Sequence, residues 1–413
     1  MAVAAVALGA PVWANPAIET SPRPVPRPAG MVEEAVLVIE AQQGFEAWVA
    51  GFRSRALAQG ISAGVFDAAF RGVRFRPDVI ARDRNQSEFT KAIWDYLDTA
   101  VSEARVAGGR KALAEHGALM DQIEARYGVE KEIVLAIWGL ESAYGAVRGD
   151  QPLIDALATL ASNSRRGAFF EAELIAALTI LEAGDTTPDQ LRGSWAGASG
   201  HTQFMPSSYL AFAVDFRGDG RRDIWGDDPA DALASAAAYL AHWGWTPGQP
   251  WGVEVTLPEG FDYAITGERV HKSAADWAAL GVRAADGSAV EDHGPASILL
   301  PAGAQGAAFM IFENFHVIER YNTADAYVIA VGHLGDRIAG GAPIRAPWPR
   351  GDRALSFDER LDLQRRLSAA GYSTDGVDGR IGPNTIAAVR AFQRAQGLLP
   401  DGYANPALLA RLP

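Results

Sequence analysis

The residue of this chain best suited to do chemistry is Glu141. It closes the apolar run Ile133-Val-Leu-Ala-Ile-Trp-Gly-Leu140 and is followed at once by Ser142-Ala-Tyr-Gly145. A carboxylate at the end of an otherwise buried helix loses hydration, which disfavours its ionised form and keeps a proton available near neutral pH. Such a proton is what a general acid needs to cleave a glycosidic bond. Glycosidases ordinarily pair two carboxylates. The nearest candidates for a second, Asp150 and Asp155, lie in neither an equally apolar nor an equally glycine-rich setting. Taken alone, Glu141 also fits a partly solvated helix end.

Its neighbours in sequence narrow the choice. Ser194-Trp-Ala-Gly-Ala-Ser-Gly-His-Thr-Gln-Phe-Met-Pro-Ser-Ser-Tyr209 is polar and glycine-rich. Gly193, Gly197 and Gly200 allow sharp turns or a close backbone approach to a ligand. Trp195 and Tyr209 offer flat faces with polar tips, suited to sugars and equally to a core. Further on, Asp215, Asp219 and Asp223 take positions one, five and nine of a calcium-type loop, with Gly220 at the sixth. Arg217 at position three and Gly226 at position twelve break that pattern, so calcium and an acidic turn with internal Asp–Arg pairs both remain open. The 7 histidines show no paired spacing along a helix, so zinc is not expected.

Helices must position these residues. Phe45, Trp48, Val49 and Phe52 recur at helical spacing, as do Phe89, Ile93, Trp94, Tyr96 and Leu97, and the pattern persists to about Leu240. Residues 250–312 change character: Gly252 to Leu257 alternates, and Ser297 to Leu300 and Ala308 to Phe312 read as strands. Helical pattern resumes at Phe315 and runs to about Ile338. Residues 341–353 form a Pro/Gly linker. The tail, 354–413, opens on the capping box Ser356-Phe-Asp-Glu359 and holds enough apolar positions for three short helices. The expected fold class is mainly α, with an N-terminal helical region, a small β-containing insertion and a small three-helix C-terminal domain.

Bulk properties exclude several functions. The 413 residues carry a net charge of −13 with no basic tract, which argues against nucleic acid as a partner. With Cys 0 there are no disulfides, thiolate metal sites or lipidated cysteines. Residues 1–14 read as the end of a secretory signal peptide, with a small-x-small pattern before Asn15, and 15–31 as a proline-rich tether. No later stretch is long and apolar enough to span a membrane.

Ile137-Trp-Gly-Leu-Glu-Ser-Ala-Tyr-Gly145, Ala156 to Leu160 with Arg165-Arg166, the Ser194 to Tyr209 segment, and Arg320-Tyr-Asn322 leading to Tyr327 together resemble the lytic murein transglycosylase B family. These are peptidoglycan-cleaving enzymes with a lysozyme-like core. The resemblance covers roughly residues 32–340. The tail, with Asp378-Gly379, Gly382, Thr385, Phe392-Gln393 and Asp401-Gly402, resembles a peptidoglycan-binding domain. The resemblance implies that Glu141 is the sole acid/base, that Ser194 orients it or the substrate's N-acetyl group, and that Gln203 and Asn322 hydrogen-bond the sugar. It places Tyr144, Tyr321 and Tyr327 along the cleft, with Arg165 and Arg166 on sugar or peptide carboxylates.

The implied reaction cleaves the bond between N-acetylmuramic acid and N-acetylglucosamine to give a 1,6-anhydro end, with no required cofactor. A hydrolytic muramidase and a non-catalytic murein-binding scaffold are the alternatives. Peptidoglycan is the expected partner, with wall-synthesis or division proteins beside it, and a soluble periplasmic form the expected location. One departure stands out. Ala198-Ser-Gly-His-Thr202 replaces the family's more usual Ala-Met-Gly-Tyr-Gly.

Overall fold

The computed structural model describes residues 29–84 and 91–413. The expected signal peptide, most of the proline-rich tether and Phe89 lie outside the described residues. Helix α1 (Ala29–Ala58) begins inside the last residues assigned to that tether.

The chain is mainly helical. After α1 come α2 (Ala63–Ala69), α3 (Pro77–Arg84), α4 (Ile93–Ala100), α5 (Glu103–Tyr127) and α6 (Lys131–Ser142). A two-residue strand, β1 (Gln151–Pro152), leads into α7 (Leu153–Asn163) and α8 (Gly167–Ala183); β2 (Arg192–Gly193) then returns to pair antiparallel with β1. The order continues with α9 (Pro206–Phe212) and α10 (Ala230–His242). Phe45, Phe52, Leu157, Phe170 and Leu174 form one apolar core, beneath α1, α2, α3, α7 and α8. A second core gathers α4, α5, α6 and α10 around Met120, Leu135, Ile137 and Leu240. Trp225 packs against both cores and ties them together.

The expected β insertion is a four-stranded antiparallel sheet of order β4-β3-β6-β5: β3 (Gly252–Thr256), β4 (Arg283–Ala284), β5 (Ser297–Leu299) and β6 (Ala308–Ile311). Alternation in β3 sends Val255 inward with Ile298, Met310 and Phe312 onto Trp277. Trp277 lies on α11 (Ala274–Ala279), and its indole N–H donates to the Ala296 carbonyl at 2.9 Å.

Helices α12 (Glu313–Glu319) and α13 (Asp325–Ile338) follow, and α13 packs on α6. The two helices run antiparallel. Gly335, late in α13, meets Glu132 and Ile133 at the start of α6, while Tyr327 in the first turn of α13 reaches Glu141 at its end.

The tail carries α14 (Phe357–Ala369), α15 (Pro383–Ala395) and α16 (Pro406–Leu409) around Leu363, Leu367, Val389, Phe392 and Leu412. The Ser356–Glu359 capping box is formed at the start of α14. One device occurs twice here. The buried amide of Gln364 accepts the Gly379 N–H and donates to the Asp378 carboxylate; that of Gln393 accepts the Gly402 N–H and donates to Asp401. Both Asp-Gly pairs are turns with glycine in the left-handed region, so each buried Gln closes a turn that only glycine adopts cheaply. The tail rests on the sheet insertion, with the Arg390 guanidinium donating to the Thr266 carbonyl and hydroxyl, both at 2.6 Å.

Candidate active site

Residues 133–139 of α6 are all buried, which fixes the helix in the core and leaves Leu140 and Glu141 in its last turn only partly covered. Glu141, in that turn, is half-buried. The Tyr327 hydroxyl donates to Glu141 Oε1 at 2.6 Å. A short hydrogen bond to a carboxylate is among the stronger neutral-to-ion contacts. Tyr321 lies parallel to Tyr327, with ring centroids 6.5 Å apart, and donates its hydroxyl to the Thr202 carbonyl at 2.5 Å. Burial first, and the Glu141 charge second, push both phenols well above their ordinary range, so both hydroxyls stay protonated donors.

The chain leaves α6 through two consecutive non-glycine residues in the left-handed region, Ala143 (φ 50°) and Tyr144 (φ 59°). Such strain persists only where surrounding contacts over-determine it. Here the contacts are explicit. The Tyr144 ring lies against Gly108, Gly109 and Gly139, where an added Cβ would come within 3.0 Å of Tyr144 atoms. Its hydroxyl donates to the Arg105 carbonyl at 2.7 Å, and burial pushes that phenol up to about 12. Ser142 Oγ accepts the Gly145 N–H and donates to the His201 carbonyl at 2.6 Å. Tyr144 therefore clamps the helix end on which Glu141 sits.

The glycine-rich segment folds as a compact turn against this end. Ser194 N–H donates to the Ala198 carbonyl, and Ser194 Oγ accepts the Ala198 N–H at 3.1 Å. Gly193 allows this closure, since a Cβ there would stand 2.2 Å from the Ala198 carbonyl oxygen. Gln203, also left-handed (φ 52°), donates its amide to the Arg148 and Gly200 carbonyls, at 3.0 and 2.8 Å. Asn322 is exposed and accepts the Ala324 N–H, ordering the bend between α12 and α13.

The structure thus brings Glu141, Tyr327 and Tyr321 together directly. It places the Ser194 to Gln203 turn beside them through Thr202 and His201. Arg165 and Arg166 sit instead in the exposed α7–α8 turn. Arg166 reaches Asp83 at 3.8 Å and lies over the Phe170 ring. Of the other carboxylates near Glu141 in sequence, Asp150 is exposed and takes the Gln151 amide, and burial pushes half-buried Asp155 up.

The sequence marked His201 only as a departure. In the fold it is buried, accepting the Trp138 indole N–H on Nδ1 at 3.1 Å, with Nε2 2.7 Å from the Gly226 carbonyl. Burial pushes its pKa down, matching a neutral ring that donates from Nε2 and accepts at Nδ1. Its exchange for a tyrosine therefore alters the packing behind the site. A periodic pattern cannot reveal such a partnership across 63 residues.

The Asp215 loop is held by its own backbone. Asp215 accepts the N–H groups of Gly218, Asp219 and Gly220; Asp219 accepts that of Arg221; Asp223 accepts those of Trp225 and Gly226. Arg217 pairs with Asp228, and Arg222 with Asp185. The Asp215, Asp219 and Asp223 carboxylates thus already take the N–H groups of their own loop. Among the described residues, Glu268, His316 and Glu319 are the group whose ligand atoms lie close enough together to hold an ion.

Residues 44–336 match the model of the transglycosylase SLT domain, and 358–412 that of a putative peptidoglycan binding domain. SltB3 from Pseudomonas aeruginosa, solved in complex with NAG-anhNAM-pentapeptide, is similar over 89% of this chain and 98% of its own, at 48% identity and a TM-score of 0.86. The Escherichia coli lytic transglycosylase Slt35, solved in complex with calcium, is similar over 72% of this chain and 93% of its own, at 30% identity and a TM-score of 0.60. The membrane-bound lytic murein transglycosylase B of Escherichia coli is 38% identical over 220 residues, 52% of this chain and 58% of that protein's length. With its lysozyme-like helical core, its sheet insertion and its appended binding domain, this chain belongs to the transglycosylase SLT domain family.

Proposed function

We propose that this protein is a lytic transglycosylase that cleaves the β-1,4 bond between N-acetylmuramic acid and N-acetylglucosamine in peptidoglycan, with Glu141 as its one acid/base. The observation that carries this reading is the half-buried Glu141 carboxylate held by Tyr327 at the end of a largely buried helix. The SltB3 complex with a disaccharide ending in anhydro-NAM supports it.

In the proposed reaction Glu141 protonates the glycosidic oxygen as the C1–O4 bond breaks. The substrate's acetamido oxygen stabilises the positive anomeric carbon, in place of a second carboxylate. The Glu141 carboxylate then takes the proton of the muramic acid 6-hydroxyl, whose oxygen bonds to C1 and closes the anhydro ring. No water is consumed, and the acid is regenerated. Tyr327 and Tyr321 hold the carboxylate and the cleft wall, while Ser194, Gln203 and Asn322 offer polar groups to the sugars. Arg165 and Arg166, on a separate turn, are left for peptide or distal sugar carboxylates.

The tail would hold the enzyme on the wall. Because murein lies outside the cytoplasmic membrane, the reading places the working chain in the periplasm, within reach of wall-synthesis or division proteins. Among the described residues no helix is long and apolar enough to cross a membrane.

Digestion of intact sacculi followed by mass spectrometry tests the reaction. Anhydro-ended muropeptides are expected; products one water heavier would identify a hydrolytic muramidase instead. Glu141→Gln should lose turnover by about two to four orders of magnitude while keeping its fold. A near-wild-type rate would defeat the assignment, and binding without cleavage by the wild type would support a scaffold.

A further inference from the structure

Behind the bend that carries Tyr321 and Asn322, separate elements bring ionisable side chains together. Glu268 comes from the sheet insertion, and His316 and Glu319 lie one helical turn apart on α12. Their ligand atoms all fall within 4.8 Å of one another, and all three residues are half-buried. His316 Nδ1 is 2.6 Å from Glu319 Oε2. Asp325, the first residue of α13, feels the charges of all three. Burial, then the charges of Glu268 and Glu319, push its carboxyl up to about 7.

The charge count is unbalanced. Three carboxylates share one imidazole, and Glu313 adds a further negative charge toward His316. The nearby cation, Arg269, turns its guanidinium to Asn384 at 2.8 Å. Elsewhere on this protein acids meet guanidinium groups head-on, as in Arg55–Glu171, Arg350–Asp98 and Arg353–Glu359. Like charges gathered in a partly dehydrated site are costly unless a proton or a cation neutralises them.

We propose that Glu268, His316 and Glu319 form a divalent transition-metal site of the zinc class. An imidazole with two carboxylates suits zinc better than calcium or magnesium, which favour oxygen-only shells. Tetrahedral zinc ligands stand about 3.3 Å apart, so the set needs only sub-ångström to ångström adjustments, with His316 and Glu319 parting slightly. The proton between them leaves as the metal enters.

A bound ion would fasten the insertion to α12. The Glu268 loop is itself gripped by Arg390 of the tail through Thr266. Helix α12 leads through the bend into α13, so the ion would stiffen the stem that presents Tyr327 to Glu141. This inference concerns metal binding and stands independently of the proposed reaction.

Calorimetric titration of the chelator-treated full-length protein with zinc chloride tests it. One ion per chain is expected, with micromolar or tighter affinity, release of a proton and a raised melting temperature. His316→Ala and Glu268→Gln should each weaken binding at least about tenfold. Glu268→Gln lies in a loop and guards against a folding defect in the helix variant, and circular dichroism reports on both. Asp215→Asn should leave zinc affinity unchanged. No heat at millimolar zinc, or wild-type affinity in both site variants, would overturn the proposal. So would loss of binding in Asp215→Asn with the fold intact.

Discussion

Tyr327→Phe isolates one bond at the centre of the site. The ring is buried and stays in place, because phenylalanine fills the same volume beside Tyr321. What disappears is the 2.6 Å donation to Glu141 Oε1. A hydrogen bond to a charged group is worth about 1.5–3 kcal/mol. If that contact positions Glu141 for proton transfer, kcat/KM should fall about 10- to 150-fold, at 1.36 kcal/mol per tenfold. The cost to folding should not exceed the same value of about 1.5–3 kcal/mol, since no cavity opens and half-buried Glu141 keeps access to water. The assay is release of muropeptides from defined glycan strands, with thermal unfolding measured in parallel. Unfolding of Tyr327→Phe, Glu141→Gln and the double variant gives the coupling between the two side chains. A rate within about twofold of wild type would refute the reasoning. So would a lost rate explained by an unfolded protein.

Other expectations follow from the same geometry. His333 on α13 is held down to about 4, by burial first and by Arg337 second, against an unfolded value of about 6.5. The unfolded chain therefore binds the proton more readily. The stability that neutral His333 contributes is present above about pH 6.5 and lost as pH falls toward about 4, by up to about 3 kcal/mol. His333→Leu should flatten that acid limb in urea titrations; an unchanged slope would count against it. Gly193→Ala puts a methyl 2.2 Å from the Ala198 carbonyl oxygen and should cost about 1–3 kcal/mol in denaturant unfolding while slowing turnover. An unaffected variant would show that the turn moves freely. Truncation after Gly351 should lower sacculus retention about tenfold in pelleting assays while cleavage of short strands continues. Equal retention would remove the binding role from the tail.

The sequence by itself settled what depends on near neighbours along the chain. Helical periodicity located the core helices, alternation at Gly252 to Leu257 located a strand of the insertion, and Ser356-x-x-Glu359 announced the cap that forms. The apolar run ending in Glu141 singled out that carboxylate, because a local pattern shows which residue projects from a buried helix. What the carboxylate touches was not local. The Tyr327–Glu141 bond spans 186 residues and exists because α13 packs antiparallel on α6. Tyr144, expected along the cleft, turns its hydroxyl into the α5–α6 packing because small residues at 108, 109 and 139 leave it room. The metal question shows the same division. Spacing drew attention to Asp215, Asp219 and Asp223, whose carboxylates fold onto their own backbone N–H groups. His316 and Glu319 stand one helical turn apart, but Glu268 lies 48 residues earlier with no interval that marks it; only the docking of the insertion onto α12 brings it to them. A sequence fixes which groups are available, but how close they stand is decided by packing, and both proton transfer and metal binding depend on that distance.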